Sequence, residues 1–358
     1  MKNCTEKNKK ALIILDSFNF LSYNQKREIL ARYSSPEIMF ENVDFAYELL
    51  DKWGKGSKKD PFKYGMTEQY FDFLAKSYKD LEAVTYLDEE YPQRLFDLEN
   101  YPLALYCYGN LELLNAQQTL AIAGSRKTLS PYLAFAKEVA KTVSEKVVIV
   151  LGNSEGVECC AMDSVENGNV ICVLAGGFDK IYPQTSYNSV RRIAKNGLVI
   201  SEYSPADSVK SYSFEQRNRI IAGLADMLFV VSGSFKSGVK STCENALNLG
   251  KDVCCLPYNI TEESGRLCND LIKNGAYLVT DIQDFKTKYG IYENKKEKRF
   301  TPLTKQVYDL ISDGVNSVDK IIEVSHMKSE ELLTALVLLE LQGAIIKTGA
   351  DEYSPTHF

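Results

Sequence analysis

From Thr119 to Thr280 the chain alternates short runs of apolar, largely β-branched residues with amphipathic stretches. The runs are Leu120–Ala123, Val147–Leu151, Val170–Leu174, Leu198–Glu202, Met227–Val231, Val253–Leu256 and Tyr277–Thr280. A run that is apolar throughout, instead of at every second position, belongs to a strand buried on both faces, and helices between the runs supply the two covers. That combination predicts a doubly wound α/β domain with a parallel sheet over residues 116–290. In open sheets of this kind ligands bind beyond the carboxyl ends of the strands, so the loops after the runs are where chemistry is expected.

The flanks follow other periods. Residues 1–80 read as a small helical domain, with Leu12, Leu15 and Phe18, then Ile29, Leu30 and Tyr33 at helical spacing, a break at Ser34-Ser35-Pro36 and a further helix to Leu50. Asp51 to Pro61 is polar and contains glycine, which predicts a loop. Residues 81–115 read as a connecting segment, and residues 291–300, with Asn294-Lys-Lys-Glu-Lys-Arg299, as a charged linker. Residues 301–358 carry three helical stretches, from Leu303 to Ile311, Val318 to Ile322 and Glu330 to Gln342, and then a hairpin from Gly343 to Tyr353, a pattern that suggests a winged helix. The fold class is therefore α/β, a doubly wound Rossmann-like parallel sheet with a small N-terminal helical domain and a C-terminal winged-helix domain.

Composition narrows the function. No run approaches the ~18 apolar residues that span a bilayer, and Ala11–Leu15 is too short for a signal core, so a cytoplasmic protein is expected, with no membrane partner. The nine cysteines include no C-x-x-C pair and several sit inside apolar runs, as reduced buried thiols do. With only His326 and His357 besides, neither a zinc centre nor a Ser-His-Asp triad is expected, and no cofactor. The net charge of −6 divides into −4 over residues 1–115, +1 over 116–290, +2 over 291–300 and −5 over 301–358, which favours the middle as the place for a polyanion.

Four loops carry candidate chemistry. After the first run, Gly124-Ser125-Arg126 leads to Ser130-Pro131, a helix N-cap and first-turn proline. Gly124 lets backbone approach a phosphate, Ser125 adds a hydroxyl, the helix dipole favours an anion and Arg126 offers two donors. The same residues also describe a tight turn with an exposed arginine. Phe214, Arg217, Asn218 and Arg219 open a helix before the fifth run; paired arginines, an amide and an aromatic face suit single-stranded nucleic acid. Alternatively one arginine pairs with Glu215 or Asp226 and Phe214 packs in the core. Gly233 to Thr242 nearly matches a Walker A loop, but Val239 between Gly238 and Lys240 misplaces the lysine; an anion loop with Lys236 and Lys240 as cations remains. The fourth loop, Gly176-Gly177-Phe178-Asp179 to Tyr182-Pro183, lacks G-x-G-x-x-G, and Asp179 reads as orienting Tyr182 or a neighbouring turn.

These segments in this order resemble the DprA (Smf) family, bacterial DNA-processing proteins that bind incoming single-stranded DNA and help load the RecA recombinase. The likeness runs over residues 86–282, adding Tyr91-Pro92, Ser201-Glu202-Tyr203, Gly250-Lys251-Asp252-Val253, Leu256-Pro257 and Gly275-Ala276. Residues 1–80 resemble the family's helical domain of SAM or helix-hairpin-helix type without its Gly-rich hairpin, and 301–358 its winged-helix tail. The chain departs from the family where S-G-x-A-x-G-I-D-x-x-A-H is usual: the Asp is Glu158 and the His is Met162. Ser232 and Tyr258 replace a usual Glu and Gly.

The resemblance implies that single-stranded DNA crosses the carboxyl-end crevice. Phosphates would sit at Gly124, Ser125 and Arg126, with further contacts from Phe214, Arg217, Asn218, Arg219, Lys236, Ser237 and Gly238, joined by the loop cation Lys240. It also implies a homodimer through the central domain, RecA as partner and no catalysis. The third helix of the tail begins Lys328-Ser-Glu330-Glu331, which reads as a protein contact before a duplex reader. Two other readings use the same loops. A Rossmann-like nucleotide enzyme would need a general base such as Glu158, Glu202 or Asp179, and a nucleotide sensor would need none.

Overall fold

All seven apolar runs are strands of one sheet in the computed structural model of the chain, which is described over residues 5–78, 81–291, 300–342, 344–349 and 351–356. In chain order the strands are β1 (Glu82–Thr85), β2 (Ala104–Gly109), β3 (Thr119–Ala123), β4 (Val148–Gly152), β5 (Val170–Val173), β6 (Leu198–Ser201), β7 (Met227–Val230), β8 (Asp252–Cys255) and β9 (Tyr277–Leu278). Strands β3 to β9 pair in parallel in the spatial order β6-β5-β4-β3-β7-β8-β9. The chain winds from β3 outward to β6, then returns to β7 on the other side of β3. The switch point thus lies between β3 and β7, paired from Leu120 with Met227 to Ala123 with Val230. Strands β3 to β7 are buried at every position, as their unbroken apolar runs require.

The segment 81–115, which the sequence reads as a connector, adds β2 and β1 antiparallel to the outer edge of β6. The reason it escapes notice is physical. Strand β1 is a four-residue edge strand with only Val84 and Thr85 buried, too short to show a period.

The helices of this unit are α1 (Glu6–Ser17), α2 (Tyr23–Leu30), α3 (Asp44–Lys52), α4 (Lys59–Gly65), α5 (Glu68–Tyr78), α6 (Ser130–Val143), α7 (Val157–Ser164), α8 (Tyr187–Asn196), α9 (Ser213–Leu224), α10 (Val239–Asn248), α11 (Arg266–Lys273) and α12 (Ile282–Tyr289). The first five close over their own core of Ile14, Leu15, Phe18, Ile29, Met39, Leu49 and Phe62. They also meet the sheet, where Ile13 of α1 and Tyr78 of α5 pack on Tyr106 of β2. Residues 6–291 accordingly belong to one compact unit. Helix α4 begins inside the segment the sequence reads as loop, because Phe62 is drawn into the core and fixes a helical turn around it.

The second unit holds α13 (Pro302–Ser312), α14 (Val318–Ser325), α15 (Ser329–Leu341) and a hairpin of β10 (Ile345–Lys347) with β11 (Tyr353–Pro355). Val307, Ile311, Ile321, Leu332, Leu336, Leu339 and Tyr353 form its core. Helix α15 carries no Lys or Arg and exposes Leu333, Val337 and Leu341, so it is poorly equipped to hold phosphates. The charged stretch Asn294–Arg299 and Gly343 lie outside the described residues. Among the described residues, no helix is long and apolar enough to cross a membrane, and the eight cysteines are free thiols.

Candidate nucleic-acid interface

The loop after β3 is built by close packing. A Cβ on Gly124 would lie 2.5 Å from Val157 Cγ2, so glycine here admits helix α7 and is itself buried. The Ser125 amide donates to Ser232 O at 3.2 Å and Ser232 Oγ at 3.0 Å, tying the loop after β3 to the loop after β7. Gly124 and Ser125 thus brace the switch point, and the N-cap position of α6 falls to Leu129 instead of Ser130. What faces outward is the exposed Arg126 side chain.

Arg126 opens onto a cleft of about 670 Å³. Its guanidinium stands 5.4 Å from the centre of the Phe214 ring. Around the same cleft lie Lys180, Tyr182, Tyr187 and Lys210, with Asp179 as its carboxylate. Tyr182 is 54% exposed and meets Phe214 edge to face with ring centres 6.1 Å apart, leaving aromatic faces beside the three cations. Two loops converge to make this wall. The Gly177 amide donates to Asp207 O at 2.8 Å and the Asp179 amide to Pro205 O at 2.9 Å, while a Cβ on Gly177 would come within 2.2 Å of Ser204 O and Pro205 O. Lys180 Nζ reaches Ser208 Oγ at 3.2 Å, and Asn153 Nδ2 holds Tyr182 O at 2.9 Å.

The Arg217-Asn218-Arg219 element is engaged within the protein. Arg217 is 1% exposed and is ringed by protein acceptors: Val173 O at 2.8 Å from Nη1, Asn218 Oδ1 at 3.1 Å from Nε, and Ser154 Oγ at 3.3 Å from Nη2. Glu158 Oε2 stands 3.6 Å from Nη2 and also accepts from the Ser154 amide at 2.9 Å. Gly152 makes the space, since a Cβ there would lie 1.5 Å from Arg217 Nη1. Asn218 Nδ2 donates to Gly238 O at 3.1 Å and Ser241 Oγ at 2.8 Å, locking α9 to the start of α10. Arg219 is ion-paired with the largely buried Glu202. These bonds make the three residues a scaffold for the strand-end loops, with Glu158 and Glu202 as the carboxylate partners in place of Glu215 or Asp226. Asp226 instead pairs with Arg94 at 3.2 Å.

The loop after β7 stands apart from the residues that line the cleft. Lys236 and Gly238 are exposed, Ser237 Oγ accepts from the Val239 amide at 3.2 Å, and Lys240 pairs with Glu244 at 3.5 Å. Of the sequence candidates, then, Arg126 and Phe214 come together in the cleft. Lys180, Tyr182, Tyr187 and Lys210 were missed; the first two sit in the Gly176–Pro183 stretch, whose aromatic and lysine were the available signal.

Burial raises the Glu202 carboxyl above its ordinary value of 4.5, and Arg219 only partly offsets this. A folded pKa above the unfolded one contributes stability at low pH that is lost as pH rises through the folded value. We expect the melting temperature of the wild type, relative to Glu202→Gln, to fall as pH is raised from about 4 to about 8. Thermal scans of both proteins across that range check it, and a gap moving the other way would contradict it.

Comparison with known proteins follows the same outline. The family model for DNA recombination-mediator protein A matches residues 82–290, and a DprA winged helix domain model matches 296–348. The DNA processing protein DprA of Streptococcus pneumoniae is 33% identical over 250 residues, covering 68% of this chain and 88% of the relative. Protein Smf of Escherichia coli is 30% identical over 273 residues, covering 72% and 73%. Among solved structures, S. pneumoniae DprA superposes with a TM-score of 0.63 at 28% identity, over 78% of this chain and 98% of that one. A Helicobacter pylori DNA processing protein A, whose structure addresses its binding of single-stranded DNA, gives 0.55 at 27% identity over 60% and 97%.

Proposed function

The chain belongs to the DNA recombination-mediator protein A (DprA/Smf) family, and from that premise we propose that it binds single-stranded DNA in the Arg126–Phe214 cleft. The observation that carries this reading is the cleft itself: Arg126, Lys180 and Lys210 supply cations for backbone phosphates, and Tyr182, Tyr187 and Phe214 supply faces on which bases stack. Cations and aromatic faces dominate the cleft lining, in which Gln184 is the one side-chain amide, and that balance favours binding with little sequence preference. In fluorescence anisotropy with a labelled oligothymidylate, affinity should fall steeply with salt. Tyr182→Ala and Phe214→Ala should each cost about 1–3 kcal/mol, the usual worth of one stacked base. Unchanged affinity in both variants would rule out the stacking role.

The finer steps are proposals on the family resemblance: protection of incoming single-stranded DNA, loading of RecA during DNA uptake and recombination, a homodimer, and a cytoplasmic site of action. Action by binding, without catalysis, is supported for two of the three candidate bases by where they sit. Glu158 and Glu202 are each paired with a largely buried arginine, and neither lines the cleft. Asp179 does line it, and is the carboxylate a nucleotide-cleaving enzyme would have to use as its base.

A further inference from the structure

A second basic surface stands beside the cleft. The stretch from α3 to α4 holds Lys52, Lys55, Lys58, Lys59 and Lys63 within twelve residues. Lys52 is paired with Glu28 at 3.0 Å and Lys59 with Asp51. The other three meet no carboxylate among the described residues. Lys55 Nζ donates to Gln25 Oε1 at 2.8 Å and to Phe20 O, Lys58 lies 5.9 Å from the centre of the Phe20 ring, and Lys63 is exposed. Phe62 is buried, which turns its neighbours Lys63 and Tyr64 outward, and Tyr64 is 75% exposed. The acidic side chains nearby in sequence are Asp51, already paired, and the exposed Asp60.

A series of contacts within one unit of the fold links this surface to the cleft. Phe20, over which Lys58 lies, follows Asn19, and Asn19 Nδ2 donates to Asp207 Oδ1 at 2.8 Å. The next residue, Ser208, lines the cleft and takes the Lys180 hydrogen bond. Two carboxylates lie near that line, Asp207, whose Oδ1 is engaged by Asn19, and Asp16, which is paired with Lys26 at 3.1 Å. Cations without acidic partners hold mobile counterions, and a polyanion that displaces them gains their release.

We propose that single-stranded DNA leaving the cleft passes over the Asn19–Asp207 contact onto the lysine hairpin, where Lys55, Lys58 and Lys63 hold its phosphates and Tyr64 offers a stacking face. The inference rests on the cleft reading above and lengthens the site to include the N-terminal helical part. Oligothymidylates from about 6 to about 30 nucleotides span site sizes from one small platform to several. They are titrated by anisotropy against the full chain, Lys58→Ala/Lys63→Ala and Arg126→Ala. Neither lysine donates a hydrogen bond among the described residues, so thermal midpoints should match the wild type. The double variant should bind the longest oligonucleotides roughly tenfold more weakly, with a salt slope reduced by about 1.4, and the shortest as well as the wild type does. Equal affinity of variant and wild type at every length would overturn the extended site. So would equal weakening at every length, which marks a general field effect. Arg126→Ala weakening every length while the lysine variant changes none sinks the extension alone; a wild type that binds no length sinks both.

Discussion

Arg217→Ala is expected to destabilise the first unit by about 3–5 kcal/mol, the usual result of removing one partner from a buried ion pair. The substitution leaves the Glu158 carboxylate, 8% exposed, without its counter-charge, and strips donors from Val173 O and Ser154 Oγ. It also empties a site that Gly152 keeps open for the guanidinium. Arg217→Lys should recover little, because an ammonium on a flexible stem cannot reproduce a planar fork that joins β5, the loop after β4 and α7. Urea denaturation followed by circular dichroism measures the shift. A change under about 1 kcal/mol would show that Arg217 is not the brace described here. Any DNA-binding defect of these variants should follow the loss of fold, and for that reason Arg217 is unsuited to a direct test of the interface.

Arg126→Ala/Lys180→Ala/Lys210→Ala, in contrast, should leave stability near wild type and reduce affinity for single-stranded DNA on the order of 10²-fold at physiological salt. None of the three is in an ion pair among the described residues, and Arg126 and Lys210 are exposed. At about 0.7 per phosphate for single strands, removing three contacts lowers the slope of log affinity against log salt by about 2. Lys236→Ala/Lys240→Ala provides the contrast: these side chains lie outside the cleft lining and Lys240 is already paired with Glu244, so a smaller loss is expected. Titrations at three salt concentrations give both numbers. A slope unchanged in the cleft variant, or a larger loss from the Lys236 and Lys240 pair, would move the DNA path to the loop after β7.

The parallel sheet was legible because a strand buried on both faces must be apolar throughout, and seven such runs are hard to mistake. Strands β1 and β2 carried no such mark: both are antiparallel and lie outside the strand-helix alternation, and β1 is a four-residue edge strand. At the site, Arg126 and Phe214 were legible as a loop arginine and a helix-opening aromatic. The burial and pairing of Arg217 and Arg219 were not legible, because sequence does not display burial: Glu158 lies far upstream of Arg217, and the space for its guanidinium is an absent Cβ at Gly152. A glycine ending a buried strand and a carboxylate opening the next helix were the signals that a buried cation follows. Lys180, Tyr182 and Lys210 were overlooked because they belong to irregular loops, brought together by contacts such as Gly177 against Ser204 and Pro205 that no period announces.

The decisive experiment is a titration of the full chain with one labelled oligothymidylate, competed by a duplex of equal length and by free mononucleotides, with the cleft triple variant in parallel. Tight, salt-sensitive binding of the single strand is expected, with weaker competition by duplex, none by mononucleotides, and collapse of affinity in the variant. A folded wild type that ignores the oligonucleotide at low salt, or a variant that binds it as the wild type does, would show that the cleft is not a site for single-stranded DNA.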